Sequence, residues 1–145
     1  MPFSRMFDPD WVVMPAYIDA GIDVVVVLTS WEEVWSKAGV DLKKLYSMSE
    51  MEVIYLPTPD FHTPDPDLFR IALGQVLDAA NQGKNVAIHC HAGVGRTGIF
   101  AACLAKVVLG LDGPQAYAWV RQAIPGAVEN QEQIQFIDNF GYSEG

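Results

Sequence analysis

The chain has 145 residues, half of them hydrophobic and 11% aromatic, with a formal net charge of −9. That length suits one domain, residues 1–145, with a sizeable core, and the composition excludes a disordered chain. The acidic balance argues against a general binder of nucleic acid or anionic membranes, which needs a basic face.

The opening residues, Met1-Pro2-Phe3-Ser4-Arg5-Met6, lack the apolar run of a signal peptide. No stretch reaches the ~20 apolar residues of a membrane span. Val24-Val25-Val26-Val27-Leu28 is a β-branched run of the kind buried on both faces of a parallel sheet. Glu32-Glu33-Val34-Trp35 and Asp41-Leu42-Lys43-Lys44-Leu45-Tyr46 read as short helices around Gly39, and Val53-Ile54-Tyr55-Leu56 as a second strand. Asp65 and Pro66 are a cap and first position for a helix whose buried face is Phe69, Leu73, Val76, Leu77 and Ala80. Gly83 ends it. Val86-Ala87-Ile88 is a third strand, and Ile99 to Leu109 is a helix apolar nearly all round, hence central, closed by Gly110. Ala116, Trp119, Val120, Ala123 and Ile124 share one face of the next helix, which Pro125-Gly126 stops; a last helix carries Ile134, Ile137 and Phe140. Strands alternating with helices imply an α/β fold with a central, mostly parallel sheet flanked by helices. Ligands in such sheets bind beyond the carboxyl ends of the strands, where both Cys90 and Asp60 fall.

The most informative stretch is His89-Cys90-His91-Ala92-Gly93-Val94-Gly95-Arg96-Thr97-Gly98. A strand, a tight loop and a helix start bring unpaired backbone N–H groups to face an anion. A thiol at a helix N-terminus beside a guanidinium ionises far more readily than a free one, so Cys90 is the expected nucleophile. Arg96 presents a fork of donors matching two phosphate oxygens. Gly93 and Gly95 allow close approach of the backbone and positive φ. Val94 is expected to point away from the loop interior, and Thr97 to hydrogen-bond the sulfur when it leaves. Such a loop suits a thiolate attacking the phosphorus of a monoester.

His-Cys-x5-Arg-Thr-Gly, with Ala-Gly and Gly inside it, resembles the signature of the cysteine-dependent protein tyrosine phosphatases, and the small size resembles their compact dual-specificity branch. The resemblance extends to Pro59-Asp60-Phe61 upstream and to Arg121 and Pro125-Gly126-Ala127-Val128-Glu129 downstream. Where the family usually has an arginine before that Pro-Gly, this chain has Ile124, leaving Arg121 as the only basic residue nearby. The resemblance implies hydrolysis of phosphotyrosine, with phosphoserine and phosphothreonine open, on a protein or peptide substrate through a phosphocysteine. His91, Ala92, Gly93, Val94, Gly95 and Arg96 would bind the phosphate, with no cofactor and no metal.

A protonated carboxyl near the leaving oxygen accelerates such a reaction by about 10²–10⁴-fold. Asp60, Asp65 and Asp67 are candidates. Asp60 resembles the acid of the family's mobile loop, whereas Asp65 and Asp67 suit a helix N-terminus. The resemblance also implies a polar side chain beside the hydrolytic water, Glu129 or else Gln133, and a bracing role for His89. His91 is expected to face outward, and His62 to be exposed, with a place at the pocket mouth open to it.

Other readings are phosphoinositide or RNA 5′-phosphate hydrolysis, an inactive phosphate-binding module, and sulfur or arsenate chemistry. The loop carries no lysine, which weighs against polyanionic lipids. Arsenate reduction needs resolving thiols, and Cys103 is the only other cysteine. Two isolated cysteines make neither a disulfide framework nor a metal site, and a thiolate nucleophile fits a reducing, cytoplasmic home. Cys103 reads as core, with a regulatory link to Cys90 left open.

Overall fold

The fold is that of a computed structural model describing residues 1–142. Its elements run α1 (Val13–Asp19), β1 (Val24–Val27), α2 (Trp31–Ala38), α3 (Leu42–Ser47), β2 (Glu52–Tyr55), α4 (Pro66–Asn81), β3 (Val86–His89), α5 (Gly95–Leu109), α6 (Gly113–Ala123) and α7 (Gln131–Asn139). Among the described residues the sheet has three parallel strands in the order β2-β1-β3. The α/β architecture expected from the alternation of elements is therefore the one observed.

The four valines of β1 occupy the middle of the sheet and alternate between two cores. Val24 and Val26 join the core beneath α4, α5, α6 and α7, while Val25 and Val27 join the one beneath α2 and α3. This is the period-2 geometry of a strand covered on both faces. The larger core contains an aromatic cluster in which the Phe69 ring lies 5.1 Å from Phe100, 5.1 Å from Phe136 and 5.2 Å from Phe140. Helix α5 runs through this layer with Ile99, Phe100, Ala102, Cys103 and Ala105 buried, as its all-round apolar character predicts.

Local signals set several boundaries. Ser30 caps α2 by accepting from the Glu33 N–H, and Gly39 ends it in the left-handed region. Asp65 caps α4 ahead of Pro66, and Asp112 with Gln115 forms a capping box on α6. Two expectations change. Helix α5 begins at Gly95 rather than Ile99, so Arg96 and Thr97 lie in its first turn. Helix α1 is new: it is seven residues long with Pro15 inside it, and its Met14 and Tyr17 pack on the smaller core without being fully buried.

The residues before α1 are fixed by polar contacts instead. The buried Asp8 carboxylate accepts from the N–H groups of Phe3, Val12 and Val13, and Phe3 and Trp11 have positive φ.

Candidate active site

Parallel pairing puts the carboxyl ends of all three strands on one rim. There Cys90, 2% exposed, follows β3 directly. Its Sγ accepts from the Gly93 N–H at 3.2 Å and the Thr97 hydroxyl at 3.1 Å. Two donors aimed at one sulfur suit negative charge there. The first N–H groups of α5 have no partner within the helix and face the same loop.

Gly93 has φ +81°, a conformation that favours glycine. Gly95 corrects the expectation of positive φ. It is the first helical residue, and a methyl group there would displace the flexible Glu129 carboxylate. Val94 turns out of the loop towards Gly126, and Ala92 is exposed.

Arg96 is 3% exposed and tightly held. Its Nη1 and Nη2 donate to the two carboxylate oxygens of Glu33 at 2.7 and 2.8 Å, and Nη1 also donates to the Thr58 carbonyl at 3.0 Å. Nη2 lies 3.5 Å from Oδ1 of Asp60. Lys37 closes a ring of alternating charge, with its Nζ 2.8 Å from Glu33 and 3.4 Å from Asp60. Burial pushes the Glu33 carboxyl up, but the hydrogen bonds and charges of Arg96 and Lys37 outweigh it and hold the group below the usual range.

Neither Glu33 nor Lys37 was singled out from sequence. They are an i,i+4 pair in a helix that begins just after the carboxyl end of β1. That position on the rim is the one signal that points to them.

Asp60 follows β2 by five residues and has a side chain 40% exposed. Its Oδ1 accepts from the Phe61 N–H at 3.0 Å, and Phe61 has φ +64°. Asp65 and Asp67 sit apart, at the start of α4, where Asp65 accepts from the N–H groups of Asp67 and Leu68. Exposed His62 pairs with Glu132 at 3.2 Å.

The surrounding side chains brace the loop. His89 Nε2 meets the Tyr46 hydroxyl at 2.9 Å, and Nδ1 meets the Cys90 carbonyl at 3.3 Å, so Nδ1 carries the proton and Tyr46 donates. Burial first, then the nearby amino group of Met1, pushes the imidazole down to about 3, and it stays neutral. Burial likewise raises the Tyr46 phenol.

His91 does not face freely outward. Its Nε2 lies 2.8 Å from Ser4 Oγ, its ring meets Phe7 edge-on at 4.9 Å, and its carbonyl accepts from the Met1 amino nitrogen at 3.0 Å. The fixed N-terminal segment thus covers the loop's outer edge.

Arg121 donates to the carbonyls of Ala127 and Val128 and stacks over Tyr117 at 5.2 Å, which shapes the turn before α7. Of the two candidates for the hydrolytic water, Glu129 keeps an exposed carboxylate beside Gly95. Gln133 is fully buried, with Oε1 accepting from the Glu129 N–H at 2.8 Å and Nε2 3.4 Å from the His62 carbonyl. Cys103 is buried, which pushes its thiol up to about 12. Among the described residues, no three His, Cys, Asp or Glu side chains are grouped to hold a metal ion.

Protein tyrosine phosphatase domain-containing protein 1 of Danio rerio is 33% identical over 66 residues, covering 46% of this chain and 9% of that protein. Tyrosine-protein phosphatase cdc-14 of Caenorhabditis elegans is 34% identical over 79 residues, covering 54% and 11%. The matched stretches span about a tenth of those relatives' length. Among solved structures, Tk-PTP in its active form is 31% identical with a TM-score of 0.74, covering 93% of this chain and 83% of that one. Kinase associated phosphatase with its catalytic cysteine replaced by serine has a TM-score of 0.84 at 20% identity, covering 94% and 80%, and shares the fold. Residues 13–137 match the family described as "PTP-SAK: Swiss Army Knife protein, DSP-PTPase phosphatase domain", and the chain belongs to that family of compact, dual-specificity-like cysteine phosphatases.

Proposed function

We propose that this chain hydrolyses phosphomonoesters on proteins or peptides, phosphotyrosine foremost and phosphoserine or phosphothreonine alongside, by way of a phosphocysteine on Cys90. The observation that carries the reading is the convergence on one rim of a doubly hydrogen-bonded sulfur, an arginine fork and a carboxylate on a separate loop.

In the first step the Cys90 thiolate attacks phosphorus and the bond from phosphorus to the leaving oxygen breaks. Asp60 gives that oxygen its proton. Arg96 and the amides of residues 91–96 hold the equatorial oxygens as charge redistributes. In the second step water attacks the phosphocysteine, ionised Asp60 takes the water's proton, and the P–S bond breaks. Inorganic phosphate leaves and the thiolate returns, with Thr97 donating to it. The Glu129 carboxylate is assigned to that water, because both ends of the Gln133 amide are engaged elsewhere. His89 holds the strand end.

The side chains call for no metal or cofactor, and a thiolate nucleophile suits a reducing compartment such as the cytoplasm. A polyanionic lipid substrate is less well matched. The nearest lysine, Lys37, is already engaged by Glu33 and Asp60.

The test is hydrolysis of aryl and alkyl phosphates, in chelator and reductant, by wild type, Cys90→Ser and Asp60→Asn. Cys90→Ser should lose turnover and keep phosphate affinity. Asp60→Asn should slow poor leaving groups by about 10²–10⁴-fold and good ones far less. Turnover without the thiol would refute the scheme.

A further inference from the structure

We propose that the first turn of α7 latches the acid loop, and that Asn130 is a positioning residue for Asp60. Three consecutive loop residues are bonded to this turn. Asn130 Nδ2 donates to the Phe61 carbonyl at 2.6 Å, Gln133 Nε2 lies 3.4 Å from the His62 carbonyl, and Thr63 Oγ1 lies 3.5 Å from Glu132. The His62 imidazole adds its contact with Glu132.

The loop needs such a hold at this point. Upstream it is pinned where the Thr58 N–H donates to Leu28 and the Thr58 carbonyl accepts from Arg96. Downstream it is pinned by the Asp65 cap. Between them, Phe61 adopts a left-handed conformation unfavourable for its residue type, and the residue is 56% exposed, so packing does not impose that conformation. The bond from Asn130 to the Phe61 carbonyl falls on this residue, next to Asp60.

Asn130 does two jobs with its two amide atoms. Oδ1 accepts from the Gln133 N–H at 3.0 Å and caps α7, while Nδ2 holds the loop. Aspartate caps as well as asparagine but has no donor. Asn130→Asp therefore keeps the helix start and sets a carboxylate against a carbonyl. Asn130→Ser also keeps the cap and lacks the amide donor, without adding charge.

The effect on rate rests on the proposal that Asp60 is the general acid; the latch itself does not, so the two are read separately. Hydrogen exchange reports the latch. Peptides spanning residues 58–64 should exchange at least about tenfold faster in both variants, with α7 unchanged. Unchanged exchange overturns the latch whatever the activity. Kinetics report the coupling to Asp60. Both variants should lower kcat/KM on an alkyl phosphate by roughly tenfold, a partial loss of acid catalysis, and leave kcat/KM on p-nitrophenyl phosphate within about twofold. In an Asp60→Asn background they should add nothing. An equal loss on both substrates, or a further loss in that background, overturns the positioning role.

Discussion

Glu33→Ala is the perturbation whose effect follows most directly from the geometry. The substitution removes both oxygens that Arg96 grips at 2.7 and 2.8 Å and leaves a nearly buried guanidinium with the Thr58 carbonyl and a 3.5 Å approach to Asp60. Charge-assisted hydrogen bonds contribute about 1.5–3 kcal/mol each, and breaking a buried pair costs about 3–5 kcal/mol. The Glu33 side chain is 16% exposed, so water can enter the gap, and Asp60 can lean in. The lower end applies: a loss of about 3 kcal/mol in unfolding free energy, read by urea denaturation at pH 7. Arg96 is also the proposed phosphate fork, so kcat/KM should fall at least about tenfold. The sign with pH follows from the depressed Glu33 carboxyl. The unfolded chain takes the proton first, so the pair's contribution is full at neutral pH and is lost as pH falls through the folded value. The gap between wild type and variant should close in acid. A stability change below about 0.5 kcal/mol, or a gap that does not shrink in acid, would refute the reasoning.

Three further outcomes are expected. His89, near 3 in the fold, should make wild type lose up to about 1.4 kcal/mol of stability per pH unit as pH falls from roughly 6.5 towards 3; denaturation at stepped pH should show a flatter slope for His89→Asn. Gly95→Ala should lower kcat by about tenfold, because the new methyl displaces the Glu129 carboxylate from the loop; in a Glu129→Ala background it should add little. Cys103, with its thiol near 12, should resist alkylation at neutral pH while Cys90 in the same protein reacts, as peptide mass mapping would show.

The candidate phosphate loop was legible because its residues are contiguous. Cys90, the glycines, Arg96 and Thr97 lie within eight residues between a strand and a helix, and one stretch of sequence fixes their geometry. Asp60 was singled out by the resemblance of Pro59-Asp60-Phe61 to the family's acid loop, and its place on the rim of the sheet follows from strand order. Glu33 and Lys37 were not, because their importance lies in what they face across α2. Read along the chain they are a first-turn acid and its i,i+4 lysine, an ordinary solvated pair. Gln133 and Asn130 look like capping residues for the same reason. They are that, and the second atom of each amide reaches the loop that carries Asp60, which local sequence does not encode. The segment before α1 lacked any period to read, since Ser4 and Asp8 hold it through side-chain hydrogen bonds and positive-φ turns.

Acid quenching during turnover of an aryl phosphate, followed by peptide mass spectrometry, tests the central claim most directly. A phosphoryl group is expected on Cys90, accumulating further in a variant slowed at hydrolysis, such as Glu129→Ala. Turnover at full rate with unmodified Cys90 in both proteins, or a phosphoryl group on another residue, would contradict it.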